Sequence, residues 1–328
     1  MRTIELFEKD NTYSLRGLCM LAIIAHHLYQ WTAVAYGVQY SRLAYVIFQN
    51  AGYLATSVFF LLSGYGLSLS LWKKKVTLKS ALGRIGKLYE PFLFYYLIGV
   101  LICITTGSIN WPTFLTGLAT LDLPVSGGGK WFIVSILGFY IIEIIASALR
   151  IGHKEISLLI FVITCLYIGI QISILKYPTV WYNSLLAFPV GVMCAAWNNK
   201  LKILRRCGTI VFFLACIFIV CFFLSVLIGT PMWHFNKEYA EPLLMNITGV
   251  SFSLLLVVIV SIVNMSNKTL RYIGVHSFSL FMAHLVLVTF ADSISNVIVY
   301  IIVVFVGSFA LTFAYTGLKK LIIRLQYV

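Results

Sequence analysis

Apolar residues run through this chain in long unbroken stretches, without the alternation that marks half-buried strands or barrel walls. A helix needs roughly 20 mostly apolar residues to cross a hydrocarbon core about 30 Å thick. By that measure ten segments are predicted spans: 14–34, 46–71, 88–106, 131–149, 156–175, 183–198, 208–229, 243–263, 273–290 and 294–316. The connections are short, the longest at about 107–130 and 230–242. The pattern predicts an all-α, polytopic membrane helix bundle forming one domain over residues 1–328, with no internal repeat.

Composition agrees with lipid as the solvent. Of the 328 residues 61% are hydrophobic and 10% charged, against about 25% charged in soluble domains. The net charge of +14 raises the possibility of nucleic acid, but the positions of the cations argue otherwise. Twenty of the 24 Lys and Arg fall at the N-terminus, the C-terminus or alternate connections, including Lys73–Lys75, Lys79–Lys87 and Lys200–Arg206. Only Arg42, Lys130, Lys176 and Lys237 lie on the other side. The bias predicts both termini in the cytoplasm, a multi-pass protein of the cell (inner or plasma) membrane, and a bilayer rather than nucleic acid as partner. Glu5, Glu8 and Asp10 among the first residues are unlike the basic start of a cleavable signal. The seven cysteines form no CxxC pair and no HExxH occurs, so neither a disulfide framework nor a metal site is expected.

Ionisable groups inside spans are costly and mark candidate sites. The first span carries Arg16 and, eleven residues on, His27, with His26 beside it. Eleven residues turn a helix through three revolutions plus about 20°, so Arg16 and His27 share a face about 16 Å apart, while His26 points about 80° away. One reading has Arg16 as a snorkelling flank and His27 as a packed histidine. The other has a guanidinium at the membrane edge binding an anion whose reactive end lies by the imidazole. Arg84 and Lys87, three apart, share a helix face beside Gly83 and Gly86; they either flank the membrane like the neighbouring lysines or bind phosphate.

The remaining candidates have plainer alternatives. Ser63, Gly64 and Gly66 allow close helix packing or line a tunnel. The GGGK run before Trp131 lacks the spacing of a phosphate loop, and Trp131 sits where an interfacial tryptophan would. Glu143 is expected to pair with Arg150, two turns on. His276 lies near the inner edge, and His284, near mid-membrane, is either core or faces the cavity of His27. His234, Glu238 and Glu241 occupy the outer loop, solvated or touching an acceptor.

Taken in order, SLRGLCMLAIIAHH, FFLLSGYGL, RIGKLYEPF, WFIVSILGFY and GVHSFSLFMAH resemble the integral-membrane acyltransferase 3 family over residues 14–290. Two departures stand out: Lys87 replaces the second arginine of the Arg-x-x-Arg before an aromatic-proline turn, and Ile136 stands where another branch has an acid. The resemblance implies transfer of an acyl group, acetyl, from cytoplasmic acyl-CoA to a hydroxyl of a cell-surface polysaccharide, glycolipid or lipid-linked sugar. Acyl-CoA is then a co-substrate, with no permanently bound cofactor. It implies that Arg16, Arg84 and Lys87 hold the CoA phosphates and that His27 acts as general base or transient acyl carrier. His284 and Trp131 would shape the acceptor side, with His26 and Ser63 as tunnel candidates. No fused soluble domain is expected to assist. A glycan-precursor transporter or flippase, and a non-catalytic assembly subunit, are the competing classes.

Overall fold

The computed structural model describes residues 6–73, 76–108, 110–125, 128–149, 151–197, 208–228 and 237–325. Among them are twelve α-helices and no strand. In chain order these are α1 (Lys9–Tyr36), α2 (Arg42–Trp72), α3 (Leu78–Thr105), α4 (Trp111–Thr120), α5 (Lys130–Ala148) and α6 (His153–Ser173), followed by α7 (Ala187–Ala196), α8 (Gly208–Ile228), α9 (Lys237–Val263), α10 (Lys268–Val275), α11 (Ser277–Val288) and α12 (Val297–Leu325).

Eight of these helices are long and apolar enough to cross a membrane, and each coincides with a predicted span. The other two predicted spans are built differently. Segment 273–290 falls on α10 and α11, which meet at His276 with a bend of 72°. Segment 183–198 holds only the ten-residue α7, about 15 Å long and so about half a hydrocarbon core. A buried asparagine secures the stretch before α7: Asn246 Nδ2 donates to the carbonyl of Tyr182, and its Oδ1 accepts from the Leu186 amide. The connection at 107–130 contains the short helix α4, which the hydropathy pattern did not single out.

Sequence features at the helix ends explain where the long elements start. Ser41 caps α2 by accepting from the Ala44 amide, and Thr77 with Ser80 forms a reciprocal capping box on α3. The expected aromatic-proline turn is absent: α3 continues through Pro91. Proline has no amide proton, so it leaves the carbonyl of Lys87, four residues earlier, without its helical donor.

Inside lipid, helices associate by close packing rather than by apolar burial, which favours small residues where backbones meet. Two crossings here show it. A Cβ on Gly17 would collide with the carbonyl oxygen of Leu270, and one on Gly274 with that of Tyr13, so α1 and α10 touch backbone to backbone. Gly64 and Gly191 do the same between α2 and α7, against the carbonyls of Phe188 and Leu61. Gly66 has open space where a side chain would be. The expected packing role therefore falls on Gly64, two residues away.

These contacts set the layout. Of the most apolar stretch of α2, 72% is buried, against 6% for α8. Thus α2 is the central post, with α1, α5, α7 and α9 around it, and α8 lies on the rim against α9. Helix α1 is held between α2 on one side and α10 and α11 on the other.

Candidate functional site

One turn of α1 after another builds a single lining. Arg16, Met20 and Ile23, spaced by four and three, face a cavity that α11 closes with Ser277, Phe278 and Phe281. His27 is the next member of the α1 stripe and His284 the next turn of α11. There the two helices join: His284 Nε2 lies 3.0 Å from His27 Nδ1, with ring centroids 5.0 Å apart. The cavity lining reaches Ile23 and Phe281, one turn short of this pair, and Phe281 packs edge-on against His284 at 5.3 Å.

Hydrogen bonding assigns the protons. His284 Nδ1 is 3.2 Å from the carbonyl of Leu280, which can only accept. A neutral His284 with its proton on Nδ1 presents Nε2 as an acceptor, so His27 donates from Nδ1 and keeps Nε2 unprotonated. His284 thereby fixes both the tautomer and the orientation of His27, as a carboxylate does for the histidine of a hydrolase triad. His284 is fully buried, and among the described residues no carboxylate contacts either ring.

Towards the basic end a second cavity, about 440 Å³, opens below the first. The two share Arg16, Ser63, Leu88 and Tyr140 as lining. The lower one adds Lys9, Arg84 and Lys87, and among the described residues no Asp or Glu lines it. Four cations around one space without a carboxylate suit a polyanion. Two acids close in sequence to the lining residues are spent elsewhere: Asp10 pairs with Arg271 at 2.6 Å and Glu90 with Lys319 at 2.7 Å. Arg16 Nε is buried with no hydrogen-bond partner, a donor aimed at an acceptor that the protein itself does not supply. Arg84 is held in place, giving Nη1 to the Ser80 carbonyl at 2.8 Å and Nη2 to the Ser70 carbonyl at 3.1 Å.

His26, on the other side of α1, belongs to different surroundings. Its Nδ1 donates to the carbonyl of Phe48 across 2.6 Å, and its ring lies against Gly52 on α2. It faces a third cavity at the opposite end of the molecule, about 350 Å³, with Gln30, Gln49, Asn50, Asn183 and Glu241 in the wall. The two histidine rings are 5.1 Å apart. The pair therefore stands between a cationic approach from one end and a polar, amide-rich approach from the other.

The structure brings six of the residues given roles by the resemblance to one passage and turns His26 away from it. Arg16, Arg84, Lys87 and Ser63 line the cationic approach, His27 and His284 touch, and His26 turns to the polar cavity. Trp131 stands apart, packed against Phe60 at 6.5 Å, while its neighbour Phe132 reaches the inner cavity. Glu143 is fully buried and accepts from Ser68 Oγ at 2.8 Å; its expected partner Arg150 lies outside the described residues, as do Lys200–Arg206 and His234. Glu238 pairs with Lys176. His276 packs at a tilt against Tyr272 at the helix break, ring centroids 4.7 Å apart.

Lys9, Tyr140 and the Gln and Asn side chains of the outer cavity were not singled out by sequence. Tyr140 is the last residue of the WFIVSILGFY run. Among the described residues no group of three His, Cys, Asp or Glu comes together as a metal could require.

A family described as an acyltransferase domain, Acyl_transf_3, matches residues 14–317. No curated protein matches the chain.

Proposed function

The chain belongs to the acyltransferase 3 family, and from that premise we propose that this membrane acyltransferase moves acetyl from cytoplasmic acyl-CoA to a hydroxyl of a cell-surface polysaccharide, glycolipid or lipid-linked sugar. The observation that carries the reading is a cavity lined by four cations and, among the described residues, no carboxylate, joined through Arg16 to a passage that ends one turn below the His27–His284 pair.

The positive-inside bias puts the cationic cavity in the cytoplasm. The CoA phosphates rest on Arg16, Arg84 and Lys87, with Lys9 as a fourth cation, and the thin pantetheine arm follows the Met20–Ile23 stripe. The thioester then passes between Ile23 and Phe281 to His27. Nε2 of His27 takes the proton of the acceptor hydroxyl, whose oxygen attacks the thioester carbonyl carbon. The C–O bond forms as the C–S bond breaks, and the departing CoA thiolate takes the proton from His27 and leaves as the thiol. In the alternative order Nε2 attacks the thioester carbon and the C–S bond breaks to release CoA thiolate; the acceptor oxygen then attacks the acyl carbon, the C–N bond breaks, and the hydroxyl proton goes to the thiolate, which leaves as the thiol. His284 is a positioning residue in both.

A glycan transporter is the competing class. Transporters of this size commonly carry matched broken helices in two repeats; among the described residues one bent pair occurs, α10 with α11. The deciding experiment incubates the purified protein with acetyl-labelled CoA. Binding with slow release of free CoA is expected in the wild type, and His27→Ala should keep binding but lose release by a factor on the order of 10²–10⁴. Absence of any CoA binding at high protein concentration overturns the reading.

A further inference from the structure

A fourth space lies on the lipid-facing side. It is a groove of about 800 Å³ between α1, α2, α8 and α9, walled by Leu18, Ala22, Ile47, Leu54, Phe222 and Leu256 among other apolar side chains. Its polar lining consists of Asn50 and, at the outer end, Arg42. From Ala55 up to Arg42 the α2 wall rises by thirteen residue steps, about 20 Å, which is more than the depth of one leaflet.

Two features tie this groove to the polar cavity beside His26. Val46 and Asn50 line both. On α1, Leu18 and Ala22 face the groove, and the next two steps of four, His26 and Gln30, face the polar cavity. One helical stripe therefore leads from an apolar surface to an amide-rich one. Charge separates them further. Lys130 and Lys176 on this side are paired with Asp122 and Glu238, whereas Arg42 has no carboxylate in ion-pair contact among the described residues. Glu241 in the polar cavity repels anions, so a phosphate is favoured at Arg42 and a neutral hydroxyl-rich group within.

We propose that the acceptor is a glycan joined through phosphate to a long apolar lipid: the lipid chain lies in the groove, the phosphate meets Arg42, and the sugar enters the cavity beside His26. This rests on the transfer reading above and narrows its acceptor. A free polysaccharide has no use for the groove, and an ordinary phospholipid has none for a cavity lined by glutamine and asparagine. The substrate enters sideways from the outer leaflet, while the donor comes from below.

The test uses the full chain in nanodiscs of phosphatidylcholine, with a long-chain polyprenyl phosphate as probe, phosphatidylglycerol as the anionic comparison, and native mass spectrometry as readout. Saturable binding of the polyprenyl phosphate is expected, not displaced by equal phosphatidylglycerol. Arg42→Gln should weaken it by about tenfold, and Ala51→Trp, which fills the groove, should remove it. Leu43→Asp, at a site 70% exposed, sets a like charge beside the phosphate and should weaken binding even if Ala51→Trp fails to fold. Equal binding of the two lipids, or indifference to all three variants, overturns the proposal. A CoA titration on the same samples separates the two readings. Retained CoA affinity without polyprenyl binding removes the lipid-linked acceptor alone, and polyprenyl binding without CoA affinity removes the acyl transfer alone.

Discussion

At the scale of the residue, two adjacent histidines on α1 have different partners and face different cavities. His27 is fixed by His284, and His26 by the carbonyl of Phe48. His27→Ala removes the unprotonated Nε2 proposed as base or acyl carrier, whereas His26→Ala removes one wall of the proposed acceptor cavity; the second variant should lose transfer by less than about tenfold, chiefly through acceptor KM. Equal loss in both would contradict the separation of faces. If His284 only orients its neighbour, His284→Ala should lower kcat while leaving donor KM unchanged. His284→Gln, whose carbonyl oxygen can accept from His27 Nδ1, should restore part of the rate. At the mouth, Arg16 has the unpartnered Nε and Lys87 no ion pair among the described residues. Arg16→Ala is therefore expected to weaken CoA binding about tenfold or more and Lys87→Ala less, in a calorimetric titration. Unchanged affinity in both would remove the phosphates from this cavity.

Between elements, the site depends on where α1 is allowed to sit. Its backbone touches α10 through Gly17 and Gly274, and that contact places the Arg16–His27 stripe opposite α11. A side chain there has no room, because what it meets is backbone that cannot rotate away. Gly274→Val should destabilise the protein by about 1–3 kcal/mol or prevent folding, seen as a lowered thermal midpoint in detergent. Gly66→Ala, where nothing lies within reach, should leave the midpoint unchanged and serves as the control. The 72° bend between α10 and α11 has a related consequence. It lets α10 follow the α1 surface near Gly17 while α11 turns to bring His284 to His27.

For the whole molecule, the arrangement makes sense only if its two ends face different compartments. A Cys introduced at Lys176 should react with a membrane-impermeant maleimide in intact cells, and one at Lys319 only after permeabilisation, in a background cleared of native cysteines. Labelling of both from outside would contradict the orientation and with it the source of the donor. Hydropathy located every segment that became a long helix, because a run of some twenty apolar residues has few alternatives in lipid. It also placed Arg16 and His27 on one stripe and Arg84 and Lys87 on one face, since 3.6-residue periodicity is local. It could not foresee that 183–198 is half a span and 273–290 a bent pair, which depend on neighbours such as Asn246 and Gly17. Nor could it separate Ser63, which lines the passage, from Gly64, which packs. The partner of His27 lies 257 residues away, and the acids that leave the cationic cavity uncompensated are drawn off by Arg271 and Lys319 on other helices. The chain alone therefore determined which segments enter the membrane and which side chains go in with them. Tertiary structure decided which of those side chains meet, because contact between helices is set by backbone approach and not by spacing along any one of them.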